Sequence, residues 1–208
     1  MKLLVLGATG GIGVEMVKQA LERGHTVTAF VRSPEKLKAF AGRIAVAQGN
    51  PLDSQELGRV IAGHDTVISG FGPRVPIAKG DAHLLRDFAA ALTNAMKQGG
   101  VRRAVVVSTA FLFKDSLIPP VYLLGRLLFP GVVSDATDME RILSGSRLDI
   151  TIARPPQLTD KPYTGKYRVR EGHLPRFGFS IPRADVADFM IQTAEDGAFR
   201  NAVVGVCA

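Results

Sequence analysis

Gly7-Ala8-Thr9-Gly10-Gly11-Ile12-Gly13 is the stretch whose reading decides the fold. It follows Lys2-Leu3-Leu4-Val5-Leu6, a short apolar run that reads as a buried strand. It opens onto residues 14–23, where Met16, Val17, Ala20 and Leu21 recur with Ile12 at helical spacing. Strand, glycine turn, helix is the arrangement that holds a dinucleotide pyrophosphate. The first glycine permits the tight turn, the second lets backbone N–H groups approach the phosphates, and the third lets helix and strand pack closely. The helix N-terminus adds unpaired N–H groups and the positive end of its dipole. Gly7, Thr9, Gly10, Gly11, Ile12 and Gly13 are therefore candidate cofactor-binding residues.

The glycines fall at a G-x-x-G-x-x-G spacing, which resembles the extended and atypical short-chain dehydrogenases. Residues 26–31 read as the second strand, ending in Val31-Arg32-Ser33-Pro34. An acidic residue there would hydrogen-bond the ribose hydroxyls and favour NAD. Arg32 instead offers a fixed fork of donors to a 2′-phosphate, which predicts NADP(H). Ser33 adds a hydroxyl. Lys36 and Lys38 either reinforce the phosphate or form a solvated helix face. Residues 44–47 are a third strand, followed by Gly49-Asn50-Pro51-Leu52-Asp53. In the dehydrogenases that the chain resembles, a Gly-Asp pair at this place contacts the adenine. Asn50 stands where the acid would be, and its amide still accepts from the exocyclic amine, with Leu52 beside the ring. Asp53 or Ser54 caps the next helix. Residues 65–69 are the fourth strand, and Gly70-Phe71-Gly72-Pro73 lies at its carboxyl end, where ligands sit in such sheets. Gly70, Phe71 and Gly72 are candidates for the ribose and pyrophosphate. Arg74 meets a phosphate or an anionic substrate, or is a plain loop arginine.

Residues 81–98 read as a long helix and 101–107 as a fifth strand ending in Ser108-Thr109-Ala110-Phe111. A hydroxyl there points beside the nicotinamide, making Ser108 and Thr109 the catalytic candidates. Most short-chain dehydrogenases pair that hydroxyl with Tyr-x-x-x-Lys, whose lysine lowers the tyrosine pKa. Here only Tyr122 and Arg126 have the spacing, and arginine for lysine is not a neutral change. Residues 117–129 read as an apolar cover over the substrate site, with Tyr122 as an acid the alternative. A site without a positioned acid suits hydride transfer to a conjugated acceptor, a flavin, quinone or bilin, which spreads its charge and takes a proton from solvent.

With 208 residues, 46% of them hydrophobic, the chain is expected to form one α/β domain over 1–208, a doubly wound parallel sheet or Rossmann fold. Further helices are expected at 135–144 and 182–193, with strands at 150–153, 166–169, 177–181 and 202–206. The substrate side is expected from 109–132 and 155–182. The net charge of +7 comes from scattered Lys and Arg with no basic run, which argues against nucleic acid. The excess either suits a phosphorylated cofactor and an anionic substrate or reflects general surface composition. No apolar run reaches the roughly 20 residues of a membrane span, and no metal site is expected. Cys207 is the one cysteine, so no intramolecular disulfide forms, and it reads as free and exposed. No signal peptide precedes the first strand, so the cytoplasm is the expected compartment, with a monomer or weak oligomer as the expected state.

The second half carries more specific motifs. Ser108-Thr109-Ala110-Phe111-Leu112-Phe113-Lys114-Asp115 is followed by Ile118-Pro119-Pro120, then Met139-Glu140-Arg141-Ile142-Leu143 and Leu148-Asp149-Ile150-Thr151-Ile152-Ala153-Arg154-Pro155-Pro156. Leu158-Thr159-Asp160-Lys161-Pro162, Thr164-Gly165-Lys166-Tyr167 and Ile181-Pro182-Arg183-Ala184-Asp185-Val186-Ala187-Asp188-Phe189-Met190 complete the set. Together these resemble the NADPH-dependent flavin reductase family, also known as biliverdin-IX beta reductase, an NAD(P)H-binding, NmrA-like group, over nearly the whole chain. The resemblance implies hydride delivery from NADPH to a flavin or bilin stacked on the nicotinamide. It implies that Thr109 takes the place of the active-site hydroxyl with Ser108 its neighbour, and Arg32 that of the 2′-phosphate arginine. Arg74 takes the place of an arginine near the site, and Pro155 and Pro156 shape the nicotinamide end. The family's histidine after the two prolines is Gln157 here, which donates a hydrogen bond but is no acid near neutral pH. A second family histidine, ahead of Met139, is also missing, so a flavin is favoured over a bilin. Two readings stay open beside the reductase. One is a non-enzymatic NADP-binding sensor of the nitrogen-metabolite-repression type, and the other a short-chain dehydrogenase or epimerase working through Tyr122.

Overall fold

The structure is a computed structural model that describes residues 1–73, 83–113 and 130–208. Arg74, Tyr122, Arg126 and the proposed cover at 117–129 lie outside the described residues.

The first strand sets the layering. In β1 (Lys2–Leu6), Leu3 and Val5 enter one apolar layer, Leu4 and Leu6 the other, and all four are fully buried. A strand buried on both faces belongs in a parallel sheet covered by helices. β1 pairs in parallel with β2 (Thr26–Val31), which in turn pairs with β3 (Ala45–Gln48). On its other side β1 pairs with β4 (Thr66–Ser69), and the sheet continues through β5 (Arg103–Val107) and β6 (Asp149–Arg154). A separate parallel pair, β7 (Gln157–Thr159) and β9 (Ser180–Pro182), flanks the sheet. The outer edge is β8 (Arg168–Glu171) beside β10 (Val203–Cys207), giving the order β3-β2-β1-β4-β5-β6-β10-β8.

The fold is Rossmann-like, as the sequence predicts, with one departure. β8 runs antiparallel to β10. An antiparallel edge needs no crossover helix, and the Arg-Val-Arg-Glu sequence of β8, exposed throughout, guards that edge with charge.

Helices α1 (Gly11–Glu22) and α5 (Arg183–Asp196) cover one face, with Met16, Val17, Val186 and Met190 inward. Helices α2 (Ser54–Ile61), α3 (Leu84–Gly99) and α4 (Pro130–Gly145) cover the other with Leu57, Phe88, Leu92, Met139 and Leu143. Asp53 caps α2, accepting from the Gln55 and Glu56 N–H groups at 2.8 and 3.2 Å. Helix α4 is described from Pro130, ahead of the expected 135, so Asp135 stands inside it and its side chain serves a neighbouring helix. Its buried carboxylate accepts from the N–H groups of Leu85 and Arg86, at 2.8 and 3.0 Å, in the first turn of α3. Among the described residues no helix is long and apolar enough to cross a membrane.

Arg103 is buried in the middle of the sheet. Its guanidinium donates to Asp149 at 3.2 Å and to the carbonyls of Thr193 and Ala198 at 3.0 and 2.9 Å, and burial pulls its pKa down. Cys207 is free but not exposed. It ends β10, inside the sheet between β6 and β8, where it is fully buried and burial pushes its thiol pKa up.

Candidate functional site

The strand order reverses at β1, whose neighbours β2 and β4 lead away in opposite directions. Ligands bind at the carboxyl ends of strands at such a reversal. The chain leaves β1 through Gly7 at φ +70°, a conformation that favours glycine, and a Cβ there would stand 2.7 Å from the Gly70 carbonyl carbon. A Cβ on Gly13 would collide with the Gly7 carbonyl oxygen. The turn, the first coil of α1 and the end of β4 therefore meet at a separation that side chains would forbid. Gly10 donates its N–H to Gly7 at 2.9 Å, and α1 has neither a capping side chain nor an acidic residue in its first turn. Its N–H groups and dipole remain for an anion.

A cleft of about 700 Å³ opens above this point. Gly7, Thr9, Gly10, Gly11 and Ile12 form one wall, and Arg32 and Ser33 extend it with Phe30 and Val31. Gly70, Phe71, Gly72 and Pro73 line it from β4, with the Phe71 ring stacked on Phe88 at 4.5 Å. Ser108, Thr109, Pro155, Pro156 and Leu158 line the far end. The cleft thus gathers most of the candidate residues in one space that suits a dinucleotide, with its anion-accepting turn in the middle.

Other candidates lie off the lining. Gly13 sits beneath the turn. Asn50 folds back on its own segment, accepting from the Leu52 N–H at 3.2 Å, while its own N–H donates to Glu56 at 2.7 Å. Leu52 packs into the core, so Pro51, which the sequence reading passed over, lines the cleft instead. Gln157 is exposed, held as a strand residue in β7.

The two hydroxyls differ in their partners. Thr109 Oγ1 accepts from the Phe111 N–H at 3.3 Å, and its own O–H donates to none of the described residues. Ser108 Oγ donates to Glu140 Oε1 at 2.5 Å. Glu140, buried on α4, is also gripped by Arg154, Nε to Oε1 at 2.9 Å and Nη2 to Oε2 at 2.5 Å. The Arg154 guanidinium lies 4.5 Å from the centre of the Phe113 ring. Sequence reasoning quoted both charged residues without giving either a task, since the pairing joins two strand ends to a helix between them in the chain.

Arg183 is a second omission. It begins α5, lines the cleft and pairs with the exposed Asp160. Its Cδ lies 2.5 Å from where a Cβ on Gly11 would stand, so the arginine stem crosses the glycine turn. The wall beyond Leu158 is tied down by two buried acids of α5. Asp185 accepts from the N–H groups of Thr164 and Gly165 and from the Thr164 hydroxyl at 2.9, 3.0 and 2.6 Å. Asp185 also stands in the first turn of α5, where a negative charge suits the helix dipole. Asp188 accepts from Tyr167 at 2.7 Å and pairs with Arg23. Burial first, and then donation to Asp188, push the Tyr167 pKa up.

Comparison with known proteins adds the family. Residues 7–197 match a family model described as NAD(P)H-binding. Protein YwnB of Bacillus subtilis is 34% identical over 116 residues, which is 55% of this chain and 51% of that protein, so the match spans about half of the relative. A candidate exported protein of Burkholderia pseudomallei superposes with a TM-score of 0.83 at 26% identity, covering 100% of both chains. A wide-type short-chain dehydrogenase/reductase of Veillonella parvula, solved in complex with NADP, superposes at 0.83 with 19% identity over 100% of this chain and 94% of that one, a likeness of fold.

Proposed function

The chain belongs to the NAD(P)H-binding family, an oxidoreductase-like group with a Rossmann fold, and from that premise we propose that it is an NADPH-dependent reductase of a flavin, quinone or bilin-like acceptor, with a flavin preferred. The observation that carries this reading is one continuous cleft with Arg32 and Ser33 at one end and Ser108 and Thr109 at the other. The glycine turn and the start of α1 hold the pyrophosphate. Arg32 and Ser33 take the 2′-phosphate, where arginine's fork of donors suits a dianion. Arg183 adds positive charge across the turn. Gly70, Phe71 and Gly72 support the ribose side. When bound, the cofactor supplies a hydride from its reduced nicotinamide. Thr109 offers a hydrogen bond from its hydroxyl at that end, and Pro155 and Pro156 shape the apolar wall against which a flat acceptor stacks. No described side chain there is arranged as a general acid, which fits an acceptor protonated by solvent. We take the cytoplasm as its compartment and a monomer or weak oligomer as its state.

The test is cofactor oxidation, followed by loss of nicotinamide absorbance, with FMN, riboflavin and a simple quinone offered in turn to NADPH and to NADH. Turnover that prefers NADPH is expected. Tight NADPH binding with no turnover on any acceptor would refute the reductase and leave a cofactor sensor.

A further inference from the structure

The polarity of the hydroxyl pair carries a step further, resting on the cofactor-cleft reading. Strand alternation puts Ser108 and Arg154 on the same face as Val106 and Ile152, one row past the apolar layer under α4. Glu140 reaches both from that helix. The row of apolar contacts thus ends in a serine, a carboxylate and a guanidinium, with only the serine lining the cleft. A hydroxyl has one proton and two lone pairs. Ser108 gives its proton to Glu140 at 2.5 Å, and Glu140 is fixed in turn by the two-point grip of Arg154. What Ser108 presents to the cleft is lone pairs. Thr109, next along the chain, keeps its proton for the cleft.

We propose that Ser108 is a hydrogen-bond acceptor in the cleft, its polarity set by Glu140 and Arg154 as positioning residues, and that it receives an amide-type N–H of the bound ligand. Two ligand groups carry such an N–H: the carboxamide of the cofactor's nicotinamide and the imide of a flavin ring. A carbonyl oxygen, which needs a donor, is left to Thr109. The neighbouring hydroxyls therefore divide the work, one accepting and one donating, and distinguish ligand groups of the same shape.

The experiment titrates the protein with NADPH and with its 3-acetylpyridine analogue, which keeps the carbonyl and lacks the amide N–H. If the cofactor is the source, Ser108→Ala weakens NADPH about fivefold, the worth of one hydrogen bond, and leaves the analogue unchanged. If the acceptor is the source, both affinities stand, and Ser108→Ala raises the Kd of riboflavin for the NADP-saturated protein but not that of a flavin methylated at the imide nitrogen. Equal losses for NADPH and the analogue, or no change with any ligand, would overturn the proposal. Glu140→Gln tests the positioning. Its amide can donate to Ser108 and release the serine proton into the cleft, so the same discrimination should vanish, with Ser108→Ala/Glu140→Gln no worse than Ser108→Ala. Glu140→Gln that melts earlier yet keeps full discrimination would show a merely structural pair and overturn that part. Binding is read without turnover, so a protein that binds NADPH and reduces nothing fails as a reductase while the Ser108 result stands. A wild type that binds no NADPH would overturn both.

Discussion

The turn side of the cleft, at its middle, and the far end are built differently. The turn side is made of backbone: glycines at 7, 10 and 13, a helix with no capping side chain, and the Gly70 turn pressed against Gly7. The far end is made of side chains brought from distant elements: Ser108 after β5, Glu140 on α4, Arg154 at the end of β6. The first gains its chemistry from what is missing and leaves no room for an added carbon at Gly7 or Gly13. The second gains it from pairing and tolerates no lost partner.

That contrast is broken most severely at the turn. Gly13→Ala drives a methyl into the Gly7 carbonyl, and backbone must shift. We expect a loss of about 4 kcal/mol or more in urea unfolding, with cofactor binding abolished. Unchanged stability with intact binding would mean that the turn is looser than described.

At the far end the expected cost comes from subtraction. Glu140→Ala leaves the Arg154 guanidinium, with its side chain 15% exposed, without its carboxylate. Breaking a buried pair from one side costs about 3 kcal/mol. Replacing both partners, as Glu140→Met/Arg154→Met, should restore most of that stability while leaving Ser108 without its acceptor. Equal instability of the single and double variants in denaturant would contradict the pairing account.

A smaller effect separates the charges along the turn wall. Arg32→Ala should weaken NADPH about 30-fold and NADH hardly at all, the worth of charge-assisted hydrogen bonds to one phosphate. Arg183→Ala should weaken both cofactors alike, about fivefold, since the pyrophosphate is common to them. Calorimetric titration with each cofactor reads the difference, and equal losses from Arg32→Ala would remove its 2′-phosphate role.

The turn side was legible because its signals are local. Seven consecutive residues fix the turn, and Arg32 follows its strand directly. The far end was legible only in its hydroxyls. Glu140 and Arg154 carry no periodic or motif signal that pairs them, and they meet Ser108 only when β5, β6 and α4 are assembled. Asp135 misled for a similar reason, looking like the start of its own helix while capping another. Asn50 was read by analogy with an acid, yet its short side chain satisfies the adjacent backbone, a habit of asparagine in turns. Cys207 near the chain end looked exposed because sequence position does not reveal that its strand lies inside the sheet.

The smallest expected effect lies in the loop tie behind the far end. Tyr167, held protonated by burial and by donation to Asp188, keeps its proton where an unfolded tyrosine, with a pKa of about 10, loses it. A raised folded pKa means stability that is present below about pH 10 and declines as pH rises beyond it. Tyr167→Phe should flatten that decline in urea midpoints taken across the alkaline range. An unchanged slope would remove Tyr167 from the account.

The central claim is that hydride passes inside this cleft, and an isotope effect tests it most directly. Flavin reduction is followed without oxygen, using NADPH carrying deuterium at the transferred position. The account predicts reduction far faster than in a protein-free mixture, slowed by a primary isotope effect and lost when Gly13→Ala abolishes binding. Reduction no faster than the protein-free mixture, by protein saturated with NADPH, would contradict it.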